Sequence, residues 1–438
     1  MGYLVILSCF LMFFVFFRTQ DNNLKIVALL GCLVLFSGGF YFINHPKISA
    51  MHVPLYLFMA YAFVINRGRF SEERSAYPLK TATFLLFVSF VLSGLFGEEG
   101  GPYGMYAASR FFLDSYGFFL VAYIIGYRCD YKSLTELLYW PVIIFCGFEF
   151  LEAALKYNYV YSWLMNAFPG YEGILEKGGL VMNFNDSWRI RTSVTTVHPT
   201  TLGALLMTLF IFFFPRMKER DFKGILLFVV FVIAFFLSGS RTSWVCSALY
   251  ILYHFAKARS IIVRLFFIVA LAGGVYYVGN AFVDAFSVEG RGSSLDMRQR
   301  NLLICAVSFA QKPVTGHGFN YIGSLIERDG DDRAVDGAME SVFFNLMVEQ
   351  GLVGLVAYFG FAGLCFVSFR KMREYDPKVA EIGEGLTICL VVFSLMSGTL
   401  GNLHSMNYLI QGTCLGMLCA KKEETEQNVE ESAAEDSV

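Results

Sequence analysis

The sequence predicts an all-α, polytopic integral membrane protein with about twelve to fourteen transmembrane helices and two large loops on one side. The first observation is composition: 56% of the 438 residues are hydrophobic, 16% are charged and 47 are Phe. No soluble domain of that length can bury so much apolar side chain. The second is that apolar runs of about 16 to 22 residues, matched to a hydrocarbon core of roughly 30 Å, recur along nearly the whole chain. The third is that no alternating pattern of barrel strands appears, which leaves helices as the spanning element.

Taken in order, the expected spans lie near 2–17, 24–43, 51–65, 79–96, 111–127, 138–155, 199–214, 224–239, 243–256, 262–281, 341–369, 384–400 and 403–419. The first run, "GYLVILSCFLMFFVFF", has no basic stretch before it and no small-residue cleavage site after it, so it reads as a retained anchor. Lys and Arg collect in "NRGRFSEERSAYPLK" (66–80), "PRMKERDFK" (215–223), "KARSIIVR" (257–264), "RKMREYDPK" (370–378) and Lys421-Lys422. Short connectors rich in these residues stay in the cytoplasm. Connectors 97–109 and 400–405 alternate with them and are expected outside, together with the two long polar segments.

The layout that follows is N-terminal spans over 1–155, a first large loop over 156–198, central spans over 199–281, a second large loop over 282–340, C-terminal spans over 341–420, and an acidic cytoplasmic tail over 421–438. The tail, "KKEETEQNVEESAAEDSV", reads as disordered. Net charge is −2, with no basic tract dense enough for nucleic acid. The ten cysteines show no paired spacing, and only Cys305 falls in a long outer segment, so neither a disulfide framework nor a metal knuckle is indicated. The acidic run "ERDGDDRAVDGAMES" lacks the ligand spacing and terminal Glu of a calcium loop.

Ionisable groups in or beside spans are costly, which makes them candidates for function. Arg110 and Asp114 are expected at the outer end of one span, and Glu149 and Glu152 at the outer end of the next. Glu149 and Glu152 are three residues apart and share a helical face. With Asp114 they are candidate binding carboxylates that could line one cavity; the competing reading is that these groups anchor helix ends at the interface. Arg241, in "LSGSRTSWV", sits in a short outward connector where the orientation rule disfavours a cation. The small and hydroxylated residues around it let an anion approach guanidinium and backbone together. Snorkelling, or pairing with a loop carboxylate, is the alternative.

"NDSWRIRTSVTTVHP" supplies Arg189 and Arg191, and Pro199 suits the first turn of the helix that follows. Arg191 therefore stands just above a helix N-terminus, whose free N–H groups favour anions. "SSLDMRQRNLLICAVSFAQKP" is too short in its apolar centre to span, and reads as an amphipathic helix along the interface.

The order of these motifs resembles the O-antigen ligase and O-antigen polymerase superfamily of bacterial envelope enzymes. Arg191 stands eight residues before Pro199; Ser240-Arg241 lies between two later spans; Arg298 or Arg300 precedes "KPVTGHGFN"; and "ESVFFNLMVEQGLVGLVAYF" closes the large loop. The resemblance covers roughly 185 to 365 and the overall span count.

It implies transfer of a glycan from a polyprenyl (undecaprenyl) diphosphate donor to an acceptor hydroxyl at the periplasmic face of the inner membrane, with no cofactor and no metal. Arg189, Arg191, Arg241, Arg298 and Arg300 are the diphosphate candidates, and Asp114, Glu149 and Glu152 are the sugar-binding candidates. Ligases of the superfamily place a catalytic His nine residues before the Glu of the closing motif. Counting back from Glu349 reaches Glu340 instead, and this departure tilts the reading toward polymerase. Glu340 is the candidate base, with His198, His317 and His404 as alternatives. A chain-length regulator is the protein partner the resemblance implies, beside membrane lipid. An O-antigen ligase acting on lipid A core is one alternative function, and a lipid-linked glycan transporter or flippase is another. Transporters carry repeats and midplane charges, whereas the unusual charges here collect in the outer half.

Overall fold

The structure is a computed structural model that describes residues 14, 18–35, 41–44, 47–49, 52–64, 77–97, 101–160, 162–163, 192–196, 199–219, 221–256, 294–319, 321–322, 341–396 and 403–435. Its elements are α1 (Asn22–Leu35), β1 (Tyr41–Asn44), β2 (Lys47–Ser49), α2 (Val53–Val64), α3 (Lys80–Phe96), α4 (Pro102–Gly126), α5 (Tyr131–Leu155), α6 (Pro199–Met217), α7 (Phe222–Ser238), α8 (Arg241–Ala256), α9 (Ser294–Gln311), α10 (Val342–Lys371), α11 (Pro377–Met396) and α12 (Leu403–Glu435). Five of the described helices, α4, α5, α6, α10 with the turn that follows it, and α11, are long and apolar enough to cross a membrane; α1, α3 and α7 are shorter and apolar. The chain is a multi-pass, all-α membrane protein.

Local chemistry sets the helix ends. Pro102 and Pro199 open α4 and α6, where a missing N–H costs nothing. Asp130 caps α5 by accepting from Ser133 N at 2.8 Å, and Asp221 caps α7 by accepting from Gly224 N at 2.8 Å. Gly239 closes α7 with φ 60°, a conformation that glycine takes at no steric cost.

Helix α6 is buried along almost its whole length, "PTTLGALLMTLFIFFFPRM", with α7 and α8 on one side and α11 and α12 on another. A helix that is apolar all round belongs at such a centre. Among the described helices α4 and α12 share the most extensive contact, and Gly126, Gly412 and Gly416 let their backbones approach closely.

Three expectations are corrected. The span predicted over 24–43 does not reach its expected end: α1 is described to Leu35, and 41–44 pairs with 47–49 as a short antiparallel hairpin, the only sheet among the described residues. The breakers Ser37, Gly38 and Gly39 lie between them in sequence. The span predicted to begin at 111 begins at Pro102, so Arg110 and Asp114 lie eight and twelve residues inside α4 rather than at its end. The tail expected to be disordered continues α12 as helix to Glu435. Glu, Lys, Gln and Ala are good helix formers, no Gly or Pro interrupts, and Lys422 pairs with Glu426 at 3.6 Å one turn on. The predicted segments 2–17 and 262–281 lie almost wholly outside the described residues, as does most of both large loops.

The two ends of the bundle differ. At one end, Arg216 bridges Glu219, Asp221 and Glu136; Lys223 reaches Glu136 at 2.6 Å; Lys421 meets Asp376; and His254 meets Glu381. This end gathers the connectors 215–223, 370–378 and 421–422, which the sequence assigns to the cytoplasm. The other end carries the candidate site.

Candidate functional site

Three polar clusters lie away from that charged end, the third of them around the middle of α4. The first lies where α5 ends. Residues Thr192 to Thr196 form a turn that is buried throughout. Backbone N–H groups need partners in such a place, and Glu152 supplies them: Ser193 N donates to Oε1 at 3.1 Å and Val194 N to Oε2 at 2.7 Å. Thr192 donates its hydroxyl to Glu149 Oε1 at 2.7 Å. Asn158, just past the end of α5, donates to Val194 O at 2.6 Å and to Ser193 Oγ at 3.2 Å. Glu149 is fully buried and Glu152 is 6% exposed. Glu149 Oε2 has no hydrogen-bond partner among the described residues.

Val194 holds φ at 51°, an outlier for a β-branched residue. Such strain costs about 1–3 kcal/mol and persists only where the surroundings over-determine it. Here Glu152 and Asn158 grip the N–H and C=O of that one residue. Beside the turn, Glu152 and Asn158 help line a cavity of about 290 Å³ whose other walls include Phe148, Leu151, Tyr157 and Tyr159.

The turn is also tied to α7, because Thr192 N donates to Leu237 O at 3.2 Å. Leu237 lies four residues before Arg241, which is exposed at the head of α8. The corner between them is tight: Ser240 Oγ and Ser243 Oγ lie 2.8 Å apart, and a Cβ on Gly203 of α6 would stand 2.3 Å from Ser240 Cβ. A guanidinium at the first turn of a helix, where N–H groups are free, suits an anion.

The second cluster is where α10 breaks. Backbone torsions mark the break: Gly351 has φ 62° and ψ −154°, a region open essentially to glycine alone. The "PVTGHG" segment docks against it, with His317 N donating to Val348 O at 2.8 Å, Gly318 N to Glu349 O at 3.0 Å and Leu352 N to Pro313 O at 2.8 Å. Ser93 of α3 donates to Glu349 O at 2.9 Å. His317 is buried, with Nε2 2.8 Å from Ser308 O and its ring stacked on Tyr321.

The third cluster joins α2, α4, α10, α11 and α12. Asp114 meets Arg110 Nε at 3.5 Å, accepts from Tyr56 OH, and lies 3.7 Å from His52 Nδ1. Ser405 donates to Asp114 O at 3.2 Å. The preceding residue, His404, is buried with Nε2 3.4 Å from Tyr358 OH, and that hydroxyl pairs with Ser394 Oγ at 2.7 Å. Ser341 donates to Ser394 O at 3.0 Å, so the residue next to Glu340 in sequence joins the same chain of contacts.

The predicted residues thus fall into groups. Glu149 and Glu152 come together; Asp114 and His404 are linked through Ser405; Arg241 stands at the corner tied to the first cluster; His317 belongs to the helix break. Arg298 and Arg300 lie in α9. Arg189, Arg191, His198 and Glu340 lie outside the described residues. Sequence reasoning passed over Asn158, His52 and Tyr56. The spacing of His52 and Tyr56, one turn apart on the start of a span, is a signal that could have found them.

The fold and these clusters define a class: a polytopic membrane protein with a cation-bearing polar face at one end of its bundle. Residues 225–359, from α7 to the middle of α10, match the family model described as O-antigen ligase. Of the features on which the superfamily resemblance rests, the match takes in Ser240-Arg241, Arg298, Arg300, "KPVTGHGFN" and "ESVFFNLMVEQGLVGLVAYF" and leaves out Arg191 and Pro199, and it supports O-antigen polymerase or ligase activity in general. No curated protein matches the chain.

Proposed function

We propose that this protein is an O-antigen polymerase, a glycosyltransferase that joins lipid-linked repeat units at the periplasmic face of the inner membrane. The donor is a glycan on undecaprenyl diphosphate. The acceptor hydroxyl attacks the anomeric carbon, the bond to the diphosphate breaks, and the diphosphate leaves as an anion held by arginine. The observation that carries the glycosyltransferase reading is the match of 225–359 to the O-antigen ligase model, and Glu340 in the place of a His tilts it to polymerase. The bond from Thr192 N to Leu237 O ties the segment following Arg191 in sequence to the corner that presents Arg241. Arg298 and Arg300 on α9 are further diphosphate candidates, with Arg189 beside Arg191.

The proton of the acceptor goes to a base. Glu340 is that base in this reading. Its sequence neighbour Ser341 is bonded to Ser394, in the cluster that holds His404 and Asp114. His198 and His404 are alternatives. His317 is the weakest of the histidines, because its Nε2 already faces a carbonyl oxygen. Asp114 is a sugar-binding candidate whose carboxylate already pairs with Arg110 and accepts from Tyr56.

The description of the matched family favours one second reading, attachment of finished glycan to lipid A core. A deletion strain separates the two on a single lipopolysaccharide gel. Loss of a polymerase leaves core bearing one repeat unit, whereas loss of a ligase leaves bare core and polymer on the carrier. Arg241→Ala returned to the deletion strain is expected to give the same pattern as no gene at all. Long chains at normal level from that variant rule out Arg241 as a diphosphate ligand. A chain-length regulator is the expected protein partner.

A further inference from the structure

Glu149 and Glu152 were singled out by sequence as sugar-binding groups, but their oxygens are largely committed to protein. A carboxylate that recognises a sugar must present lone pairs to it. Glu152 spends both oxygens on the N–H groups of Ser193 and Val194, and Glu149 spends Oε1 on the Thr192 hydroxyl. Asn158 holds the same turn from its carbonyl side at Val194. Five consecutive buried residues, one of them strained, are therefore fixed to the end of α5 by three side chains. The turn in turn holds α7 at Leu237, on the last turn before the α7–α8 corner. The start of α6 follows three residues after the turn, and Gly203 seats α6 against that corner at Ser240.

We propose that Glu149, Glu152 and Asn158 are positioning residues for the donor diphosphate: they lock the 192–196 turn, and through it the α7–α8 corner that carries Arg241. The inference rests on the reading of Arg241 as a diphosphate ligand. It assigns these carboxylates to the geometry of the arginine site and not to sugar. A misplacement of a binding group by about 1 Å is enough to cost a large factor in a reaction that depends on it.

The test uses full-length protein in lipid nanodiscs and undecaprenyl diphosphate as probe, a lipid that carries the diphosphate and no sugar. Binding is measured for wild type, Arg241→Ala, Glu152→Ala and Glu152→Gln, at a temperature where each is folded. The expected result is binding weakened about tenfold by both alanine variants, with part of the loss recovered by Glu152→Gln, which keeps one acceptor oxygen for the turn. Wild-type affinity in Glu152→Ala beside weakened binding in Arg241→Ala overturns the inference, because removal of a sugar ligand leaves a sugar-free probe untouched. Wild-type affinity in Arg241→Ala instead overturns the diphosphate assignment itself. If Glu152→Ala does not fold, Asn158→Ala frees the same turn from its other side and carries the same expected and overturning results.

Discussion

At the scale of single residues, a side chain here does most of its work by completing backbone that the fold leaves open. Asp130 is the simplest case. Its carboxylate accepts from Ser133 N and Ser133 Oγ at the start of α5, and the bond to the N–H holds its pKa below the ordinary range. The folded value lies below the unfolded one, so the stabilisation is present above the unfolded carboxylate pKa of about 4 and is lost as pH falls through the folded value. Asp130→Ala is expected to cost about 1 kcal/mol near neutral pH, as loss of an N-cap does, and progressively less in acid. Thermal unfolding in detergent, run at pH 7 and again below pH 4, checks this; an equal loss at both pH values rejects the account. Glu152 does for the 192–196 turn what Asp130 does for α5. The difference is that Asp130 can be read from sequence, because a cap is local. Glu152 and its N–H partners are 41 and 42 residues apart, and no spacing rule connects them. Asn158 was passed over for the same reason.

At the scale of elements, the family-like "EQGLVG" run acquires a physical cause. Gly351 interrupts α10 in a conformation reserved for glycine, and the carbonyls freed around it are taken by His317 N and Gly318 N. A Cβ at 351 would stand 2.6 Å from Val314 O. Gly351→Ala is expected to lose about 1–3 kcal/mol from backbone strain, with the clash in addition, and to abolish polymer formation because the "PVTGHG" segment loses its seat. Leu352→Ala, exposed on the same turn, is the control. A Gly351→Ala protein as stable and active as this control contradicts the account. The order of motifs was legible before the structure; the broken helix that explains it was not, since a run of apolar residues with Gly reads as one continuous span. The same limit explains the shifted ends of α1 and α4. Apolar content reports where hydrocarbon can lie, whereas capping and Gly or Pro decide where backbone hydrogen bonding begins and stops.

At the scale of the whole molecule, the segregation of charge gives the chain a direction. Every described connector rich in Lys and Arg meets its carboxylates at one end, Arg241 and Glu149 sit toward the other, and Asp114 lies midway along α4. If basic connectors face the cytoplasm, the arginine-bearing corner faces the periplasm, as the proposed transfer requires. This sidedness is open to direct measurement. Tyr103, 78% exposed near the start of α4, and Val429, 62% exposed on the helical tail, lie at opposite ends. Tyr103→Cys is expected to react with a membrane-impermeant maleimide in cells whose inner membrane is intact, and Val429→Cys only after that membrane is opened. Among the described cysteines Cys129 alone is half-exposed, at the Lys- and Arg-rich end, and Cys9 lies outside the described residues; Cys129→Ser and Cys9→Ser remove both from the background. The reverse order of labelling inverts the protein in the membrane. It then puts Arg241 on the cytoplasmic side, and a periplasmic transfer from polyprenyl diphosphate is no longer tenable whatever the corner binds.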